Sequence, residues 1–396
     1  MPMPAFPAVT EADWRAACER FLKGKPFETL VRETEDGIAR GPLFSRDDRP
    51  EGVAPLPRAD MPLLEGRPWH VLAPVRDPDL AVANVHLLDD LRGGASAVRI
   101  CAGEGEVPIT RRADLRRLLE GVYTDLVPIS FSPNGRSVEL AEYALAMDEL
   151  GSASVRPGLD PLEHERPDMP EGWKPFTLSP RRVHERGGTP AQELADLAAT
   201  LAETLRRHGP EAARDTIVEL SGDQDMHAAI AKLRAARRVI ATVLDAFGAE
   251  ARTLEIHSIG SRRMMQAADP WTNLLRVMGA GVGAVVGGAD AVMTRPFTDG
   301  FGRATPFAHR IARNMQLLMM EESHLGLVRD AAHGSYWHET VTDRLAQEAW
   351  ALFQKIERAG GIAEREWEIA EREPGPVVGV TLHPVPDDVP MPEVLA

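Results

Sequence analysis

Three histidines stand close together in the last quarter of the chain, His324, His333 and His338, and a metal site is the first chemistry they suggest. Their spacings fit neither a His-x-x-x-His pair on one helical turn nor a zinc-finger pattern, so they read as surface or hydrogen-bonded histidines. Gly279-Ala280-Gly281-Val282-Gly283 has the composition of a phosphate-cradling loop. It does not follow a strand that opens into a βαβ unit with a downstream acid. Close helix packing explains it better, because glycines let two backbones approach. Cys18 and Cys101 are the only cysteines, too few for a disulfide framework or a cysteine-based zinc site. Both read as small buried apolar residues. Met264 and Met265, and the set Met315, Met319 and Met320, read as core filler. No Ser/His/Asp or Cys/His arrangement stands out.

Composition narrows the remaining classes. The 396 residues are 43% apolar, enough for one large α/β barrel or two smaller domains with a sizeable core. A net charge of −15 argues against a nucleic-acid partner, and no basic run exceeds short pairs such as Arg111-Arg112. No apolar stretch is long enough to span a bilayer; the run from Val277 to Val286 is Gly-rich and short. The Pro-rich start is uncharged until Glu11 and does not read as a signal peptide. A soluble, cytoplasmic protein without membrane, nucleic-acid or metal partners is the expectation.

The elements that would position any site alternate between short β-rich runs and helical patterns. Trp69–Ala73, Ala97–Cys101, Leu126–Phe131, Ser152–Val155, Phe176–Leu178, Thr216–Leu220, Leu254–Ile259 and Asp290–Thr294 make eight candidate strands. Ala81–Leu91 lies between the first two as a helix with Val82, Val85, His86 and Leu88 largely on one side, ended by Gly93-Gly94. The best-marked helix follows Thr189, with Pro190 at its first position, Gln192 completing a capping box, and Leu194, Leu197, Ala198, Leu201 and Leu205 as its apolar face. Another carries Ile240, Val243, Leu244 and Phe247, and a last one runs from Leu345 to Ile356. Eight short strands separated by helices imply parallel pairing and a closed (β/α)8 TIM-type barrel, spanning residues 63–372. Ahead of it, residues 1–62 read as an arm. Thr10 and Asp13 have capping-box spacing, Trp14, Ala17, Cys18 and Phe21 form one apolar stripe, and Gly24 is a plausible stop. Residues 373–396 read as an extended Pro-rich tail.

Several segments, in this order, resemble one family. They are Lys232-Leu233-Arg234-Ala235-Ala236-Arg237-Arg238, Ser261-Arg262-Arg263-Met264-Met265, Asp269-Pro270-Trp271-Thr272-Asn273-Leu274-Leu275-Arg276 and Gly287-Gly288-Ala289-Asp290-Ala291-Val292, followed by Ile311-Ala312-Arg313-Asn314-Met315-Gln316 and Glu321-Glu322-Ser323-His324-Leu325-Gly326. Together they resemble the substrate barrel of cobalamin-dependent acyl-CoA mutases, above all methylmalonyl-CoA mutase. Ser261–Met265, and Gly66-Arg67-Pro68-Trp69 followed by Asp77-Pro78-Asp79, are most similar to the small, non-catalytic subunit of the heterodimeric enzymes. The resemblance places the Gly279–Gly283 run inside a helix. It also implies an N-terminal arm laid on a partner subunit, which makes Trp14, Phe21 and Phe27 interface candidates.

The same resemblance exposes departures. The catalytic tyrosine of the large subunit, counted from Trp69, falls on Pro74, which has neither phenol nor backbone donor. The family's Tyr-His before the Thr189 helix falls on Arg181 and Arg182, with His184 two residues further on and on the side of Arg182 if the segment is a strand. The two arginines read as filling or lining a disused cavity; the alternative is recognition of a carboxylate or of CoA phosphates. Cobalamin-binding members carry a flavodoxin-like domain with an Asp-x-His-x-x-Gly loop. Asp225-Met226-His227 lacks the glycine and runs into a helix, so no such domain and no cofactor are expected on this chain. The resemblance therefore implies a non-catalytic small subunit that stabilises a large subunit holding adenosylcobalamin, in an enzyme that rearranges methylmalonyl-CoA and succinyl-CoA. Two other readings stand beside it: the catalytic barrel of a split mutase working with a separate cobalamin-binding chain, and a free protein that binds an acyl-CoA ligand.

Overall fold

The computed structural model describes residues 9–57, 66–103, 106–362, 377–386 and 388–395. Helix α1 (Glu11–Leu22) opens on the expected capping box, Thr10 and Asp13 satisfying each other's backbone N–H groups. It ends one residue before the expected stop, with Lys23 in the left-handed region at φ 51°. Two short strands, β1 (Arg32–Glu33) and β2 (Ala39–Arg40), then pair antiparallel.

The barrel follows. In chain order it comprises β3 (His70–Val75), α2 (Leu80–Arg92), β4 (Ala97–Ile100), α3 (Arg112–Leu118), β5 (Ile129–Phe131), α4 (Ser137–Leu145), β6 (Val155–Arg156), β7 (Phe176–Leu178), α5 (Arg181–Glu185), α6 (Pro190–His208), β8 (Thr216–Gly222), α7 (Met226–Ala246), β9 (Glu255–Gly260), α8 (Asn273–Gly287), β10 (Ala291–Met293) and α9 (Pro306–Leu317). The eight strands lie in the order β6-β5-β4-β3-β10-β9-β8-β7, every neighbouring pair parallel. The ring closes between β6 and β7 through the segment after β6. Lys174 donates to the Val155 carbonyl at 2.9 Å, and Leu159 bridges Phe176. All eight expected strands are present, shifted by a few residues at their ends. One crossover departs from the repeat: the connection from β6 to β7 carries turns and no helix.

Packing explains the register. Val71, Val98, Ile129, Val155, Val218 and Ile256 turn outward into a continuous core shared with the helix layer, while Leu72, Ala97, Ile259, Ala291 and Met293 form a separate inner cluster. This alternation is the period-two signature of strands with two unlike faces. Helix α6 bears the Thr189–Gln192 capping box and buries its whole predicted apolar face, four leucines and Ala198. Helix α8 carries the glycine run, as expected. A Cβ on Gly283 would lie 2.6 Å from the Ala229 Cβ on α7, and one on Gly281 2.9 Å from the Met319 methyl. The glycines are therefore there for close helix contact. All five methionines singled out are buried.

Two expectations are corrected. The buried face of α2 is Ala83, Leu87 and Asp90, while Val85 is exposed. Asp90 sits inward because Arg313 of α9 meets it at 2.8 Å, so a paired charge replaces an apolar side chain there. The segment of Arg181, Arg182 and His184 is the short helix α5 rather than a strand, which points the three side chains in different directions. The final helix, α10 (Tyr336–Arg358), starts at Tyr336 instead of Leu345 because Ser335 caps it, and it packs on α6 and α7.

The arm has two unlike parts. Residues beyond α1 are strapped to the barrel. Asp36 accepts from the Ala191 N–H at the start of α6, Glu35 holds Arg263, Arg40 meets Asp225 at 2.6 Å, and Phe44 packs on Trp337, Ala231 and Val341. Helix α1 itself buries no residue and packs on the turn Phe27–Leu30, where Trp14 meets Phe27 edge-on at 5.7 Å. The tail folds back on the barrel: Leu395 N–H donates to the Arg303 carbonyl at 2.9 Å, and Trp271 Nε1 donates to the Pro390 carbonyl at 2.8 Å. The predicted domain limits at 62/63 and 372/373 fall outside the described residues. Among the described residues no helix is long and apolar enough to cross a membrane.

Candidate functional site

Beside its inner apolar cluster, the interior of the barrel carries charged side chains at inward strand positions. Arg99 on β4 and Glu219 on β8 belong to strands on opposite sides of the ring, and they form a bidentate pair with a second bond of 3.0 Å. A bond between those strands has to cross the lumen. Arg156 on β6 and Glu255 on β9 make a second bidentate crossing at 2.7 and 2.9 Å, with Lys174 at 3.1 Å and His257 at 2.6 Å on the same carboxylate. All four pairing residues are at most 2% exposed. Burial by itself would raise the Glu255 carboxyl, but Arg156, His257 and Lys174 outweigh it and hold the group well below the usual carboxylate range.

Around this filled lumen the predicted site residues separate. Pro74 lies on β3 beside Arg99 in register, at the C-terminal end of the strand where barrel active sites are built. Arg181 leans over the mouth, with Glu219 at 3.7 Å and Glu185 at 3.5 Å, and its Nε has no hydrogen-bond partner. Burial, with Arg99 and Arg295 nearby, lowers its pKa to about 10 against the pull of Glu219. Arg182 points the other way and pairs with Asp196 of α6 at 2.9 Å, outside the lumen. The structure thus brings Pro74 and Arg181 to one face and takes Arg182 away from it.

His184 is buried and donates to or accepts from Ser261 Oγ through Nε2 at 2.8 Å, with Asp223 Oδ2 at 3.5 Å from the same nitrogen. A Ser-His-Asp relay needs the carboxylate on Nδ1. Here, among the described residues, Nδ1 has no partner, so the three residues do not form one. Burial first, then Lys232, Arg263 and Arg181, push the imidazole well below its ordinary pKa, and it is held neutral. His333 bonds Glu339 at 3.0 Å, His338 bonds His227 at 3.1 Å, and His324 lies in a turn at φ 54°. Among the described residues no group of three potential ligands converges on a metal position.

The sequence reading missed the two lumen pairs. Their signal was available: a single charge inside an otherwise apolar strand, as in Ala97-Val98-Arg99-Ile100 or Ile217-Val218-Glu219-Leu220, demands a buried partner. Which strand supplies that partner depends on ring closure, which no local pattern states.

The family model described as methylmalonyl-CoA mutase matches residues 151–366, more than half of the chain. The chain belongs to the methylmalonyl-CoA mutase family. A methylmalonyl-CoA mutase small subunit of Streptomyces virginiae is 35% identical over 90% of this chain and 65% of its own length. A probable methylmalonyl-CoA mutase small subunit of Mycobacterium tuberculosis is 35% identical over 87% and 62%. The small subunit of Propionibacterium freudenreichii subsp. shermanii is 29% identical over 91% and 64%. The chain therefore spans just under two thirds of the length of these curated relatives.

Within the methylmalonyl-CoA mutase family, the two positions singled out by resemblance hold Pro74, on β3, and Arg182, which pairs with Asp196 outside the lumen. The residues nearest to a corrinoid-ligand motif do not fit that role. Asp225 caps α7 by accepting from Ala228 N–H, and His227 is occupied by His338.

Proposed function

We propose that this chain serves as the non-catalytic small subunit of an adenosylcobalamin-dependent acyl-CoA mutase, the partner large subunit carrying the corrinoid and the interconversion of methylmalonyl-CoA and succinyl-CoA. The observation that carries this reading is the pair of Arg–Glu bridges crossing the lumen, Arg99–Glu219 and Arg156–Glu255, in a barrel with proline at position 74. Such bridges occupy the axis that a threaded acyl-CoA would need, and opening them would strand buried charges. A barrel can lose its site and keep its interface, because fold and site are separable. Helix α1 supports the interface half of the proposal. Among the described residues its stripe is only half covered, by Phe27 against Trp14, and Phe21 is 81% exposed. The names of the relatives, small subunits of the same enzyme, agree with it.

The test is purification of the tagged chain from its native host, with native mass and absorption spectrum of the eluate. The expected result is a one-to-one complex with a larger, corrinoid-coloured protein whose turnover this chain stabilises without having any of its own. Co-purification with a small corrinoid protein alone would replace this reading with that of a split catalytic barrel. A colourless homo-oligomer would overturn both and turn attention to free acyl-CoA binding.

A further inference from the structure

A cavity of about 200 Å³ opens at the C-terminal ends of β3 and β10, beside the filled lumen. The loop after β3 contributes Arg76 and Asp77, α2 contributes His86, the loop after β10 contributes Asp299 and Arg303, and α9 contributes His309. Barrels of this type place functional groups on this face. The volume lies below the ~300–1,000 Å³ of sites that enclose drug-sized ligands, so its occupant is compact.

The lining is committed in a telling way. Both carboxylates already face guanidinium groups: Asp299 takes Arg76 at 2.5 Å and also Arg295, and Asp77 takes Arg303 at 3.1 Å. Arg76 also meets Glu106 at 3.3 Å, so the guanidinium groups here are already ion-paired, on a chain that is acidic overall. The two imidazoles are the uncommitted donors. Their rings stand 5.5 Å apart, and among the described residues neither takes a hydrogen bond. Asp77 lies 4.0 Å from His86 Nδ1, and Asp90, bound to Arg313, lies 3.8 Å from His309 Nδ1. A cation finds no free carboxylate here, and no set of three metal ligands converges among the described residues.

We propose that this cavity binds a compact oxyanion, a carboxylate or phosphate group, between Arg76 and Arg303 on one side and the imidazole N–H groups of His86 and His309 on the other. The ionisation of the site agrees. Burial first, then His86 and Arg76, hold His309 at about 4 against Asp299 and Asp77, so the empty site disfavours further positive charge. A bound anion reverses that balance and draws a proton onto His309, so affinity rises as the pH falls. Such a ligand site is independent of whether the chain is a mutase subunit.

Calorimetric titration of the whole chain with sodium phosphate, sulfate and succinate tests the site, with sodium chloride at matched ionic strength as control. One saturable site is expected, tighter at pH 6 than at pH 8 for sulfate, whose own charge is constant over that range. Comparing phosphate with succinate decides whether the physiological group is a phosphoryl or a carboxylate. Arg303→Gln, at a position well exposed to solvent, removes one charge-assisted bond and weakens binding about tenfold or more. His86→Phe fills the cavity and abolishes binding, with circular dichroism confirming the fold. Absence of saturable binding to every probe, or equal affinity in wild type and Arg303→Gln, would overturn the proposal.

Discussion

Glu219 is the residue on which the barrel interior depends most. It is fully buried and accepts from Arg99 twice and from Ser179 at 3.3 Å, with Arg181 3.7 Å away. Removing one member of a buried pair leaves the other uncompensated, at a cost of about 3–5 kcal/mol. Glu219→Ala strands the Arg99 guanidinium and leaves Arg181 with Glu185 alone, whereas Arg99→Ala leaves the carboxylate with Arg181 and Ser179. Chemical denaturation should therefore show the larger loss for Glu219→Ala, about 3–5 kcal/mol, and a smaller one for Arg99→Ala. Equal losses would mean that Arg181 lends Glu219 no support.

Helices show which contacts are built for closeness and which are left open. Helices α7 and α8 meet through Gly283 and Ala229, with Met226 O 3.0 Å from where a Cβ on Gly283 would lie. Gly283→Leu should cost about 1–3 kcal/mol or more by overpacking, read as a lowered denaturation midpoint. Phe44 is the arm's anchor on α7 and α10, and Phe44→Ala should cost about 3–5 kcal/mol. Its proteolysis pattern should show earlier cleavage between residues 31 and 57. Helix α1 behaves in the opposite way. Phe21 is 81% exposed, so with Phe21→Asp the melting temperature of the isolated protein stays unchanged while the proposed complex with a large subunit weakens in a pull-down. A Phe21→Asp protein that binds its partner normally would remove α1 from the interface.

Acid should loosen the whole molecule in two stages. His184, His309 and His338 all have pKa values lowered by burial, the last two to about 4, from an ordinary value of 6.5. The unfolded chain binds these protons and the folded one refuses them. Their contribution is therefore complete above about pH 6.5 and is lost progressively as the pH falls toward the folded values. The lowered Glu255 carboxyl adds a second loss below about pH 4.5 by the same sign. A melting temperature that stays flat from about pH 8 to pH 5 would contradict the neutral burial of the three histidines.

Local sequence determined the elements. Strands β3 to β10 and the caps at Thr10 and Thr189 were readable because they follow from alternation, periodicity and side-chain capping over a few residues. That Pro74 can supply neither a phenol nor a backbone donor was equally readable, since it holds wherever the residue stands. Local pattern failed for α2, whose inward Asp90 is paid for by Arg313 more than two hundred residues away in the chain. It failed again for α5, because five residues are too few for periodicity to tell a helix from a strand. Ring closure decided the remainder. Only in the closed ring do Arg99 and Glu219 face each other across the lumen, and only when α9 packs beside α2 do His86 and His309 come to share one cavity. Those partners are far apart in sequence, and a charge in a strand announces that it needs a counter-charge without naming which strand will bring it.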